Sequence, residues 1–281
     1  MNRFRNLSRG GIITHFVDMN EDEFVKEVQQ IIESAQKEGL KLKVLGSLAI
    51  LLNSSHCTEC IQLYRSLGRF GENKPMFTDL DVVAYSKQSK KIDEFFTKNL
   101  DFQPNRYVNT LYNNSRGIYI HPEGRYSVDV FYDKLSFSHD VDFSNGRLDK
   151  IGYTIEPEDI VLEKLQIHDI NRKDLIDLFI LFLSHDISDR KEERKIDGKY
   201  IANVLSNDWG FWYDANNNLN KVIDLIRNEQ KVGKRHLDML EEKISQLKAL
   251  IDKEPKTRQW EKRGKKGTSR IWYNEVEEVE R

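Results

Sequence analysis

The sequence predicts an α+β fold, a mixed sheet with flanking helices followed by a C-terminal helical domain. Short apolar runs with the alternation of strands are confined to the first half of the chain, whereas helical spacing dominates after Pro157. The content of 14 Phe, 11 Tyr and 4 Trp excludes a disordered chain. A length of 281 residues suggests about two domains, and the change in character places them at 1–150 and 151–281.

The first helix is predicted to start at Asn20, whose side chain can cap it, with Glu23 in the first turn. Phe24, Val28, Ile31, Ile32 and Ala35 recur at helical spacing, and Gly39 is a plausible stop. A strand over 42–45 runs into Gly46-Ser47, and 48–52 begins a second helix that breaks up between Asn53 and Cys60. DLDVVAY at 79–85 reads as a buried strand, followed by an amphipathic helix over 90–99. Two more strands are expected at 117–120 and 126–132. In the latter, Val128, Val130 and Tyr132 face one way, Asp129 and Phe131 the other.

Pro157 suits the start of a helix running through PEDIVLEKLQIHDI. NRKDLIDLFILFLSHDI forms a strongly apolar one, and others follow near 197–206, 216–228 and 230–252. In the last, Leu237, Leu240, Ile244, Leu247 and Ile251 make a heptad seam too short for a coiled coil, so a packed bundle helix is expected.

With 44 basic and 46 acidic residues, no global charge imbalance points to a polyanion, and any such site is local. No run approaches the roughly 18 apolar residues of a membrane span. The basic stretch Met1–Gly11 lacks the apolar core of a signal peptide. Two cysteines, Cys57 and Cys60, cannot staple a chain of this size. A cytoplasmic location is therefore expected, with no membrane partner.

The chemistry concentrates on carboxylates. Residues i and i+2 of a strand share a face, so Asp79 and Asp81 can aim at one point, and Asp129 from a neighbouring strand can join them. Such an oxygen-rich set suits Mg²⁺, which keeps water and substrate phosphates in its shell, and two such ions can clamp a phosphoryl transfer. Gly46 lets the backbone approach a triphosphate, and Ser47 at a helix N-terminus can donate to a phosphate.

The pattern GS…DLDVV…VDVF resembles the active-site layout of the nucleotidyltransferase superfamily that includes DNA polymerase β. KLQIHDINRKDLIDLFILF, IDGKYIANVLSNDWGFWY and EPKTRQWEKRGKKGTSRIWY are similar to prokaryotic nucleotidyltransferase-like proteins related to the AbiEii-type toxins. The resemblance implies a nucleotidyltransferase-like sheet and transfer of a nucleoside monophosphate from an NTP to an acceptor hydroxyl. It implies Asp79, Asp81 and Asp129 as catalytic metal ligands for one or two Mg²⁺ ions, with Asp129 accepting the proton of the attacking hydroxyl. Gly46, Ser47, Lys164 and Asp174 would bind the nucleotide, Lys164 at the β/γ-phosphates and Asp174 orienting it. The acceptor would be RNA such as tRNA, a protein or a small molecule, and a toxin-like role would bring an antitoxin partner.

Other features carry ordinary readings. Arg65, Arg69 and Lys74 near DLD read as solvated loop residues, the alternative being that one of them reaches a triphosphate. Asp177 either joins the site or pairs with Arg172 or Lys173. The lone C-x-x-C lacks the second pair of a zinc site, and His185-Asp186 reads as packing. From Lys253 to Arg270, eight basic residues stand against two acidic ones around Trp260, and four Glu follow Trp272. That stripe supports an alternative, an RNA-binding module. A further alternative is a non-catalytic nucleotide- or partner-binding member of the fold, if the long 47–79 segment displaces the triphosphate loop.

Overall fold

The computed structural model describes residues 20–71 and 74–275. The basic stretch Met1–Gly11 and the last three of the C-terminal glutamates lie outside them. Among the described residues no helix is long and apolar enough to cross a membrane.

The organising element is a five-stranded mixed sheet. In chain order its strands are β1 (Leu42–Val44), β2 (Leu80–Ala84), β3 (Gln103–Pro104), β4 (Arg116–Ile120) and β5 (Ser127–Tyr132). Their spatial order is β1-β2-β5-β4-β3. β2 and β5 run parallel, and the other neighbours are antiparallel. β2 and β5 are apolar along most of their length because the sheet interior is covered on both faces. The parallel register sets Asp81 opposite Asp129, and that rung is where polarity enters the sheet.

Helix α1 (Glu21–Lys37) is capped by Asn20, whose Oδ1 accepts from the Asp22 amide at 2.9 Å, and it buries the five apolar positions expected of it. α2 (Gly46–Asn53) follows β1 without a loop, and α3 (Thr58–Leu67) reforms a helix where the sequence suggested a break. α4 (Ser89–Glu94) continues as one wider turn over Phe95–Asn99 that buries both phenylalanines. α5 (Arg106–Tyr112) and a small hairpin, β6 (Lys134–Ser136) with β7 (Asp140–Asp142), complete this half.

The second half is helical. α6 (Pro157–Leu165) starts on its proline, and α7 (Arg172–Ser184) is buried along nearly its whole length. A two-strand parallel pair, β8 (Asp186–Ser188) and β9 (Lys195–Asp197), leads into α8 (Gly198–Leu205). α9 (Trp209–Arg227) starts well before the predicted 216 because Asp208 caps it, Oδ1 accepting from the Phe211 amide. α10 (Lys234–Lys253) buries Leu240, Ile244, Leu247 and Ile251 against α7, α8 and α9, as a bundle helix. α11 (Arg258–Gly264) lies within the basic stretch and packs on α9.

One contiguous apolar core runs from Phe24 in α1 to Ile251 in α10. α6 and α7 lie against α2, and α7 also against α3, so the helical half meets the sheet half through the two helices that follow β1.

Candidate functional site

The site is built at the rung shared by Asp81 and Asp129. Asp129, in the middle of β5, is almost fully buried. Its carboxylate is held by Arg116 of β4, whose Nε lies 2.9 Å from Oδ1 and whose Nη2 donates to Oδ2. Arg116 pairs with Phe131 in the antiparallel register, so it reaches Asp129 diagonally while its guanidinium rests 5.2 Å from the Phe131 ring. Burial pushes the Asp129 carboxyl up from its ordinary range, and the Arg116 bond opposes that push.

Asp81 has different company. Burial first, then the negative charges of Asp129 and Glu163, raise its pKa to about 7, against the opposing pull of Lys164 and Arg116. Gly46 sits over it with φ at +66°. A Cβ there would come within 3.2 Å of Asp81 Oδ2 and 3.9 Å of Glu163 Oε1, so glycine serves both the left-handed backbone and the close approach. The chain is pinned by the Leu45 amide, which donates to the Asp81 carbonyl at 2.9 Å.

Asp79 lies one residue before β2, outside the ladder, and is half-buried. The strand is therefore shorter than the predicted 79–85. Its Oδ1 accepts from Thr78 Oγ1 at 3.2 Å. Ser47 is in the first turn of α2 and partly exposed.

The N-terminus of α2 already receives an acid. The Gly46 amide donates to Glu163 Oε2 at 3.1 Å, placing a buried carboxylate where the helix offers unpaired N–H groups. Burial raises the Glu163 pKa, and Lys164 and the Gly46 amide moderate the rise.

Behind Glu163 is a buried ionic cluster. Lys164 Nζ lies 2.9 Å from Asp174 Oδ1, 3.1 Å from Asp177 Oδ2 and 3.6 Å from Glu163 Oε1. Asp177 is fully enclosed. It accepts two bonds from Arg69, at 2.8 and 3.0 Å, and one from the Tyr64 hydroxyl at 2.6 Å. The cationic neighbours hold the Asp177 carboxyl below its usual range despite its burial. Its cationic partners are thus Arg69 and Lys164 rather than the neighbours on its own helix, and Arg172 pairs with Glu229 instead.

Two sequence expectations change here. Arg69 is not a solvated loop residue: it is 8 % exposed, because Asp177 and the Met76 carbonyl bind it from inside the fold. Cys57 and Cys60 form a disulfide at the start of α3, a local link across one helical turn. Arg65, by contrast, stays half-exposed in an ion pair with Glu21, and Lys74 is exposed. His185 packs against His56, in line with its ordinary reading.

Of the sequence-predicted residues, the structure sets Gly46 against Asp81, Asp81 opposite Asp129, and Lys164 against Asp174, while Asp79 lies outside the ladder beside Thr78, and Ser47 lies in the first turn of α2. The structure adds Glu163, Arg116 and Tyr64, none of which stood out by type or spacing, and gives Arg69 a buried role beside Asp177. As donors, Asp79, Asp81 and Asp129 are the all-oxygen set that Mg²⁺ prefers. Among the described residues, however, no three acidic, His or Cys side chains converge closely enough to form a ready metal cluster. Asp81 and Asp129 remain like charges that a cation would relieve, and Arg116 currently answers part of that need.

Compared with known proteins, the chain matches no family model, no curated protein and no solved structure.

Proposed function

We propose that this protein is a Mg²⁺-dependent nucleotidyltransferase that moves a nucleoside monophosphate from an NTP to an acceptor hydroxyl, releasing pyrophosphate. The observation that carries the reading is the rung pairing Asp81 with Asp129 beneath the glycine that opens α2. Asp81 lies against the start of α2, with Asp129 across the ladder from it, and a helix N-terminus suits phosphate once Glu163 leaves it.

On this reading Asp79, Asp81 and Asp129 hold the metal, which when bound neutralises phosphate charge. Asp129 takes the proton of the attacking hydroxyl once Arg116 releases it. Gly46 and Ser47 receive the triphosphate at the α2 N-terminus, which requires Glu163 to yield the Gly46 amide. Lys164 is a phosphate ligand only if its ammonium turns from Asp174 and Asp177, and otherwise it positions Glu163 through the ionic cluster. The acceptor would be RNA, a protein or a small molecule, and a toxin-like activity would be held in check by an antitoxin.

A second reading, a non-catalytic nucleotide- or partner-binding member of the fold, draws on Arg116 at Asp129 and Glu163 at the helix N-terminus. Those contacts put protein groups where a metal and a phosphate would go. Titration calorimetry of the four NTPs with Mg²⁺, on wild type and Asp79→Ala/Asp81→Ala, separates the two. Metal-dependent binding of one NTP, lost in the double variant and accompanied by label transfer from that NTP, supports the transferase. Binding without metal dependence or transfer supports the second reading.

A further inference from the structure

A recess of about 450 Å³ opens between the start of α9 and the segment after α11; its lining carboxylate is Asp208, engaged as the α9 cap, and none of the candidate-site carboxylates reaches it. Its walls include Trp209, Trp272 and Tyr273, with Lys262, Arg263 and Lys266 along one side.

The aromatic walls are fixed from behind. Trp272 Nε1 donates to Asp214 Oδ1 at 2.9 Å, and Asp214 Oδ2 lies 2.8 Å from His139 Nε2 and 3.0 Å from His168 Nδ1. The His168 ring stacks on Tyr273 with centroids 3.6 Å apart. Gly210 lets the segment after α11, a strap carrying Trp272 and Tyr273, come close, since a Cβ there would lie 2.3 Å from the Trp272 carbonyl oxygen. The Asn274 amide ties the strap to the Ser138 carbonyl at 2.9 Å.

The cations divide into two kinds. Arg263 is structural: its guanidinium lies 5.0 Å from the Trp209 ring and donates to the carbonyls of Gly267 and Arg270, both at 2.9 Å. Lys262 and Lys266 are exposed, and among the described residues neither ammonium forms an ion pair. Pre-set aromatic walls beside two exposed lysines suit a ligand with flat rings and regularly spaced negative charge. An acidic peptide would use the lysines but leave the aromatic walls idle.

We propose that this recess binds single-stranded nucleic acid, bases against the wall of Trp272 and Tyr273 and phosphates on Lys262 and Lys266. The site stands without the transferase reading. If that reading holds, the strand bound here is its acceptor.

The test is fluorescence anisotropy of the full chain with labelled single strands of about 12 nucleotides, as RNA and as DNA, over a salt series from about 50 to 200 mM. Binding at low salt is expected, falling steeply as salt rises. Lys262→Ala/Lys266→Ala should weaken it by about tenfold and flatten the salt dependence by roughly one to two counterions. Tyr273→Ala should weaken binding while leaving the salt slope in place, because stacking releases no counterions. Asp79→Ala/Asp81→Ala should bind as wild type does, so loss of NTP binding in that variant and loss of strand binding in the lysine variant are separate results. RNA preferred over DNA assigns the ligand as RNA, and equal binding assigns single strands of either kind. The proposal is overturned by absence of binding at low salt, by duplex bound as tightly as single strands, or by unchanged affinity in the lysine variant.

Discussion

Asp81 and Asp129 occupy the same rung of a parallel ladder, yet their environments differ: Asp129 is clasped by Arg116, while Asp81 faces Asp129 and Glu163 and is pushed up to about 7. Two neighbouring acids with one strong cationic partner form an unbalanced pair. A unit charge a few ångströms away is worth about 1–4 kcal/mol between water and an intermediate dielectric. Removing Arg116 should therefore open the pair to an added cation.

Arg116→Gln is expected to tighten Mn²⁺ binding by about tenfold, the equivalent of roughly 1.4 kcal/mol. Electron paramagnetic resonance of free Mn²⁺ measures this directly. Affinity equal to wild type would remove Asp129 from the ligand set.

Gly46→Ala places a Cβ 3.2 Å from Asp81 Oδ2 on backbone with φ at +66°. A non-glycine residue in that region costs about 1–2 kcal/mol before any crowding is counted. Urea unfolding should show a loss of at least that size. NTP affinity should fall as well, because the α2 N-terminus must shift from Asp81.

Asp177→Asn leaves Arg69 and Lys164 buried without their shared carboxylate. Breaking one member of such a cluster typically costs about 3–5 kcal/mol, far more than an exposed ion pair. The loss should appear as a lowered urea midpoint, and Arg65→Gln on the surface should shift it little. A shift of similar size in both would show that burial does not set the strength of these pairs.

His185 gives a pH dependence. Burial, then the neighbouring His56, lowers its pKa from the ordinary 6.5 to about 4. Below 6.5 the unfolded chain takes up a proton that the folded one refuses, so this contribution to stability is full above 6.5 and is lost as pH falls toward 4. The shift corresponds to about 3 kcal/mol at most. His185→Gln should flatten the urea midpoint between those two pH values, and an unchanged acid-side slope would place the titration elsewhere.

Asp81 and Asp129 are legible because a polar residue inside an apolar strand is conspicuous, and Asp79 stands out beside them in DLDVV although the strand begins after it. Lys164 and Asp174 were found through resemblance, and the structure bonds them at 2.9 Å. Glu163, Arg69 and Tyr64 were opaque because their meaning comes from contacts over sequence separations of 117, 108 and 113 residues. No local period encodes such pairings. The short α3, α5 and α11 were missed for a related reason: brief helices are fixed by caps and neighbours more than by periodicity.

α7 carries its two aspartates inside an otherwise greasy sequence, DLIDLFILFLS. In the finished fold the ionic cluster is an inefficient source of stability, and apolar replacements of similar volume for Arg69, Lys164 and Asp177 together would match or exceed it. In a chain still seeking its fold, however, those aspartates interrupt the stickiest stretch of the sequence. Charges flanking such stretches act as gatekeepers against self-association. A redesign that greased the cluster would yield a hardier folded molecule that precipitates more readily on the way there.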